Sequence, residues 1–469
     1  MVSRKGTIRE RERESANEQE TSSKRAKLSE ATAPANPAPT HAYNQKVVFQ
    51  KLTNPDTNPA GEVFIVGAGD CGQLGLGADV SSATKLKKLT YFEDKKIVSI
   101  AVGGLHNVVL SEDGKLFSWG CNDQMALGRS GEETEPAPVS GLEDIKIVQI
   151  ACGDSISAAL SEDGHVYAWG TFRNKNGIFG FRSDIDVQAT PFRIPELSKI
   201  TSIHAGADHL VAFTIDRKIY TWGCGESGQL GRFIMARKEK ERSLTPTQLE
   251  FKPNKRQIAT PSSLSHFPKK SDAGITYQSQ FVGVSCTGNG TYLIHENGVI
   301  FALGLNNYGQ LGVGDTDEHL IPVPLSPVVE YANKESGGAV DTVEIISISG
   351  SFHHTVALDK NGRVFTFGRN DDGQLGTGDN AESLSSPNML PEPKNVIQVS
   401  ANGAFTLAVT QDTEFNGNNL WLWGYGEMGQ LANGGEDESI PTQIELKGRH
   451  VYLGRCGGQH TLLLLKPKE

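Results

Sequence analysis

A short β-rich segment ending in glycine recurs seven times along the chain: VFIVG ending at Gly67, LFSWG at Gly120, VYAWG at Gly170, IYTWG at Gly223, IFALG at Gly304, VFTFG at Gly368 and LWLWG at Gly424. Repetition constrains the fold more than any local propensity does, because one such unit cannot bury its own apolar face and must stack on its neighbours. Six of the seven are followed by the turn G-Q-L-G or a relative, at Gly72, Met125, Gly228, Gly309, Gly373 and Gly429.

A second element precedes most of these strands. In GGLHNVVL, GADHLVAF, SFHHTVAL and GGQHTLLL a histidine introduces a short apolar strand. His106, Ile156, His209, Gly290 and His354 each lie 14 residues before their strand-ending glycine, whereas Phe405 lies 19 before Gly424, the excess falling in EFNGNN. Between the two elements stands SEDG, IDRK, HENG or DKNG, mostly the Asp-Gly and Asn-Gly chemistry of tight β-hairpins. The first copy lacks a histidine half and the terminal RCGGQHTLLLL lacks a glycine half. The missing halves are complementary, so the sequence predicts an all-β, seven-bladed β-propeller over residues 46–469, closed by pairing of its N- and C-terminal strands. Closure removes the free sheet edges of an open array.

Repeats also supply a control: a residue present in every copy serves the fold, and one present once is a candidate for function. GAGDCG at Gly67 matches the dinucleotide fingerprint G-x-G-x-x-G, but GCGESG at Gly223 and GYGEMG at Gly424 match it too, with no helical pattern after any of them. The glycines are read as tight-turn residues, and no cofactor is implied. The recurring histidines are read as packed polar residues near the axis. Asp154 in ACGDSIS and Asp208 in AGADHL are rarer, and are read as two carboxylates at the same repeat position on the rim of adjacent blades. In the third copy TFRNKNGIFG replaces the G-Q-L-G turn with a longer segment patterned as a protruding hairpin.

Two insertions stretch the repeat to spacings of 81 and 64 residues. The first, about 233–273, is rich in Lys, Arg, Pro and Ser and reads as an exposed loop; the second, about 328–340, reads as a polar loop. Residues 1–45 lie outside the repeat and have the composition of a disordered tail. Within it Lys24, Arg25 and Lys27 form a short basic cluster suited to nuclear localisation or to contact with DNA phosphate.

The formal charge of −10 argues against a nucleic-acid-binding core. No apolar run reaches the ~20 residues of a membrane-spanning helix, and the charged start has no apolar signal segment, so an intracellular protein with no membrane partner is expected. The six cysteines form no C-x-x-C pair, and buried free thiols are expected in place of a metal site or a disulfide framework.

The WG strands, GQLG turns and G-x-x-H elements together resemble the regulator of chromosome condensation family of propellers, from about Val47 onward. Closer likeness lies in GCNDQMALGR, GTFRNKNGIFGF, GCGESGQLGR and GGQHTLLLLK. The resemblance implies guanine-nucleotide exchange on the small GTPase Ran, without covalent chemistry, by a nuclear, chromatin-associated protein. It implies Asp154 and Asp208 as the carboxylates tied to exchange, and Asp70, His106, Arg232, His353 and His460 on the Ran-facing rim. It further implies a wedge over Phe172, Arg173, Asn174, Lys175, Asn176, Gly177, Ile178 and Phe179. Chromatin, through nucleosome and DNA contacts of the tail and the opposite face, and a nuclear import receptor are the other implied partners. Two departures from the family pattern are Ile156, where histidine is usual, and Lys175, a basic residue in a stretch normally uncharged or acidic. The alternative reading is a non-catalytic interaction scaffold.

Overall fold

The computed structural model describes residues 60–234, 236–250, 281–296, 298–325, 343–378, 382–412 and 417–467. The tail with Lys24, Arg25 and Lys27, and the second insertion, lie outside the described residues.

Among the described residues there are seven four-stranded antiparallel sheets. Numbered from the copy that ends at Gly67, blade 2 comprises Ile97–Val102, His106–Ser111, Leu116–Gly120 and Ala137–Pro138. Blades 3 to 7 begin at the strands Ile147–Cys152, Ile200–Ala205, Phe281–Thr287, Ile345–Gly350 and Val396–Asn402. Blade 1 is composite: Arg449–Cys456 and His460–Pro467 come from the end of the chain, Glu62–Ala68 and Ser82–Lys88 from the beginning. Glu62 pairs with Leu465 and Gly67 with His460, so the two missing halves do complete one blade. The first strands of successive blades touch one another in an unbroken circuit, which makes them the inner strands of a closed ring.

The recurring residues are the seams between blades. Trp119, Trp169 and Trp423 are fully buried, and each Nε1–H donates to a turn carbonyl of the preceding blade, on Gln73, Ala126 and Gln374 at 3.0, 2.7 and 3.0 Å. The residue after the histidine position also reaches that carbonyl: Ser157, Thr406 and Thr461 donate to Ala126, Gln374 and Gln430 at 2.9, 3.0 and 2.9 Å. With their protons committed in this way, as that of Thr291 is to Gln229 O at 2.8 Å, the oxygens of Ser157, Thr291 and Thr406 accept from the histidine of the blade before. His106 Nε2 lies 2.8 Å from Ser157 Oγ, His209 2.9 Å from Thr291 Oγ1 and His354 2.9 Å from Thr406 Oγ1. Asn107 plays this part for His460, at 2.8 Å. In blade 5, where Gly290 replaces the histidine, the Tyr292 hydroxyl donates to Gln310 O at 2.8 Å, and Thr355 of blade 6 donates to the same carbonyl at 2.8 Å.

The strand-ending glycines have a steric cause. Gly120, Gly170 and Gly223 have φ of 105°, 98° and 114°, and a Cβ on them would collide with the carbonyl oxygens of Leu105, Ser155 and Asp208. Only glycine fits both the left-handed backbone and the close approach.

Two expectations need correction. The first insertion is not merely an exposed loop: after the short helical segments Ala236–Lys238 and Glu239–Ser243, Leu244 and Leu249 are buried and Thr247–Gln248 forms the outer strand of blade 4. The polar composition of the segment masked two apolar anchors; residues 251–280 lie outside the described residues. The cysteines are free, but only Cys224 and Cys456 are buried; Cys71 is exposed because it sits in a rim turn, and the other three are half-buried.

Candidate functional site

The boundary between blades 3 and 4 is built differently from the others described above. Ile156 occupies the histidine position and Leu210 the hydroxyl position opposite it, and both are buried with Phe172, Phe181 and Trp222 in one apolar cluster. With the G-Q-L-G turn of blade 3 gone, neither a hydroxyl nor a histidine would find its partner here, so an apolar pair replaces the polar relay. In place of the turn stands a hairpin, Phe172–Asn174 and Gly177–Gly180, which pairs only with itself. The Asn174 side chain closes its tip by accepting from Asn176 N at 3.0 Å, and Gly177 has φ of 111°.

Both carboxylates lie beside this hairpin. Asp208 Oδ1 accepts from Arg173 N at 2.6 Å. Asp154 is half-buried and lines a cavity of about 50 Å³ with Gly153, Ala207, Gly288 and Phe352. That space has room for a few water molecules. Burial raises the Asp154 carboxyl above its ordinary range, against the nearby Arg173 charge. Asp208 is pushed up to about 7, first by burial and then by repulsion from Asp154, with Arg173 N–H and its charge opposing. Two neighbouring carboxylates whose ionisation burial opposes, Asp208 partly protonated near neutrality, are poised to gain from an incoming cation or amide.

The two acids do not share a repeat position. Asp154 N donates to Ala207 O, and Ile156 pairs with Gly170 as His209 pairs with Gly223. Asp154 therefore stands two residues before its marker and Asp208 one residue before. Their proximity comes from the ring bringing adjacent blades together.

Of the other sequence candidates, Asp70 lies exposed on a rim turn, and Arg173, Lys175, Asn176 and Ile178 are exposed on the hairpin. Asn174, Gly177 and Phe179 are half-buried. His353 is half-buried, edge-on to Tyr308 at 5.2 Å. Three assignments to a contact surface are corrected. Phe172, His106 and His460 are buried, because Phe172 fills the space under the hairpin and both histidines belong to the seams. Arg232 donates to Thr221 O at 2.8 Å and to the Thr221 hydroxyl, as Arg129 donates to Ser118 O at 2.9 Å from the same repeat position in blade 2. It is a recurring brace between a turn and a strand.

Glu226 was not singled out by the sequence. It lies in GCGESG, three residues beyond the strand-ending glycine, and accepts from Lys175 N at 3.3 Å. Asp70, Asp123, Asp371 and Glu427 hold the same position in other copies and are all exposed, which lines this rim with carboxylates. Removing everything shared among copies therefore removed Glu226 as well; its adjacency to the copy that lacks the G-Q-L-G turn was the signal that could have found it.

Residues 62–463 match the model of the RCC1-like domain family. A protein named Regulator of chromosome condensation, from Xenopus laevis, is 34% identical over 89% of this chain and 93% of its own length. "Guanine nucleotide exchange factor SRM1" from Saccharomyces cerevisiae is 29% identical over 86% of each. The crystal structure of Prp20p from Saccharomyces cerevisiae, described with its binding properties to Gsp1p and histones, superposes with a TM-score of 0.75 at 27% identity, over 88% of this chain and 94% of that one. A structure of Kap60 bound to yeast RCC1 (Prp20) gives the same TM-score and identity over 94% and 96%. By the span of the family match and the identity to the Xenopus protein, this chain belongs to the RCC1-like family of β-propellers.

Proposed function

We propose that this protein is a guanine-nucleotide exchange factor that promotes GDP release from the small GTPase Ran. The observation that carries this reading is the convergence of Asp154, Asp208 and the 172–179 hairpin at the blade boundary where that hairpin replaces the G-Q-L-G turn, on a rim lined with carboxylates. Such a surface attracts a partner's basic groups and presents a projecting element beside them. The names of the Xenopus and yeast relatives support it at the level of family.

The activity requires no bond to be made or broken in the exchange factor. If the protein binds the nucleotide-free GTPase more tightly than the loaded form, reciprocity weakens nucleotide binding by the same factor; ~7 kcal/mol of coupling corresponds to about 10⁵-fold. In this mechanism Asp154 and Asp208 engage basic or amide groups of the GTPase released from phosphate, and the exposed hairpin residues Arg173, Lys175, Asn176 and Ile178 press on its nucleotide-binding loops. The buried Phe172 supports the hairpin from below.

The accompanying reading is a nuclear, chromatin-associated protein whose Lys24, Arg25 and Lys27 engage an import receptor and DNA phosphate. It is supported by the yeast relative's described binding to histones and by its complex with Kap60.

Release of fluorescent GDP from Ran, with wild-type protein, Asp154→Ala and Asp208→Ala, tests the proposal. Fast release by the wild type and slow release by both variants is expected. No acceleration by the wild type, or wild-type rates in both variants, would overturn it.

A further inference from the structure

We infer that Glu226 is a positioning residue that, together with Asp208, latches the 172–179 hairpin to the neighbouring blade and so sets where its tip is presented. The inference rests on the exchange reading for its functional consequence, but the latch itself is a matter of geometry.

A two-stranded hairpin alone is marginal in water, and this one pairs with no other strand. Its orientation must come from tertiary anchors. At its base Phe172 is buried against the blade 3–4 cluster, and Thr171 Oγ1 donates to Asp186 O at 2.6 Å, while Lys240 ties Asp186 from the other side at 2.7 Å. Higher up, Asp208 takes Arg173 N at 2.6 Å. At the tip Glu226 takes Lys175 N at 3.3 Å, with Lys175 Nζ 3.6 Å from its other oxygen. Arg173 N and Lys175 N lie two residues apart on the strand and its turn, so their hydrogen bonds face the same way, toward blade 4. The hairpin is thereby held at two points along one edge by carboxylates that come from one blade.

The backbone contact matters more than the ion pair, because Lys175 Nζ is largely exposed and such pairs contribute little in water. A hydrogen bond to a charged acceptor at a partly shielded site shifts the balance between docked and undocked hairpin by roughly 10-fold or more. Without Glu226 the tip pivots about Asp208 and the docked population falls. Binding of the GTPase through Asp154 and the acidic rim persists, whereas the step that depends on the hairpin slows.

Two measurements on the full chain test this. Amide hydrogen exchange should show Lys175 and its neighbours exchanging at least about 10-fold faster in Glu226→Ala, with Glu226→Gln near wild type because its amide oxygen still accepts. Unchanged protection in Glu226→Ala overturns the latch whether or not the protein acts on Ran. In GDP-release assays, Glu226→Ala should lower kcat by about 10-fold with KM changed little, and Glu226→Gln should recover most of it. If exchange protection falls but kcat is unchanged, the positioning role is overturned and the exchange reading stands. If the wild type fails to accelerate release, the exchange reading falls and the protection data alone decide the latch.

Discussion

The Nε2–H of His106 donates to the hydroxyl of Ser157, 2.8 Å away in the next blade, and that hydroxyl donates in turn to Ala126 O at 2.9 Å. The chain of bonds requires a proton on Nε2, and burial leaves the ring otherwise uncharged. Burial enforces this state, lowering His106 to about 4 and His209, His354 and His460 to about 3.

The first prediction concerns acid stability. These histidines titrate near 6.5 in the unfolded chain, so their contribution is fully present above that pH and is lost as pH falls toward 3 to 4. With all four contributing, stability should fall by up to about 5 kcal/mol per pH unit in the middle of that window. Denaturant midpoints at pH 7, 6 and 5 measure it; a flat profile would refute the neutral relay.

Asp208 behaves oppositely. Its folded pKa of about 7 lies above its unfolded value, so its stabilising contribution is complete below about pH 4 and is lost as pH rises through 7. Asp208→Asn should raise stability relative to wild type at pH 8 and lose that advantage at pH 5, as read from thermal midpoints at the two pH values.

The broken relay at the blade 3–4 boundary predicts a paired effect. Ile156→His buries an imidazole opposite Leu210 with no acceptor and should cost about 2–4 kcal/mol. Leu210→Thr should not restore it, because the turn carbonyl that orients the hydroxyl in other blades is missing from blade 3. A double-mutant cycle by urea denaturation checks this, and full rescue by Leu210→Thr would contradict the account.

Two glycines of blade 2 separate steric from conformational cost. Gly120 and Gly131 have φ of 105° and 97°, but a Cβ on Gly120 meets Leu105 O and His106 Cα, whereas one on Gly131 meets nothing within 4 Å. Gly131→Ala should cost about 1 kcal/mol and Gly120→Ala at least about 3 kcal/mol. Equal losses in chemical denaturation would show that backbone strain alone sets the requirement.

What the sequence by itself determined is the ring: seven copies, their hairpin turns, the complementary ends and the places where one copy departs from the rest. These are legible because every blade meets the same packing problem and answers it with the same residue types at the same spacing. The histidines were rightly read as structural, yet their partners lie 51 to 353 residues away and appear only when blades stack. The tertiary structure alone decided that Asp154 and Asp208 are neighbours from successive repeat positions, that Phe172 faces inward, that Arg232 braces Thr221, and that Leu244 and Leu249 anchor a polar insertion. It also decided that Glu226, ordinary among its repeat equivalents, grips the hairpin. A repeat can be read along the chain, but which carboxylate meets which amide depends on how adjacent blades are set against each other, and that is a property of the closed ring.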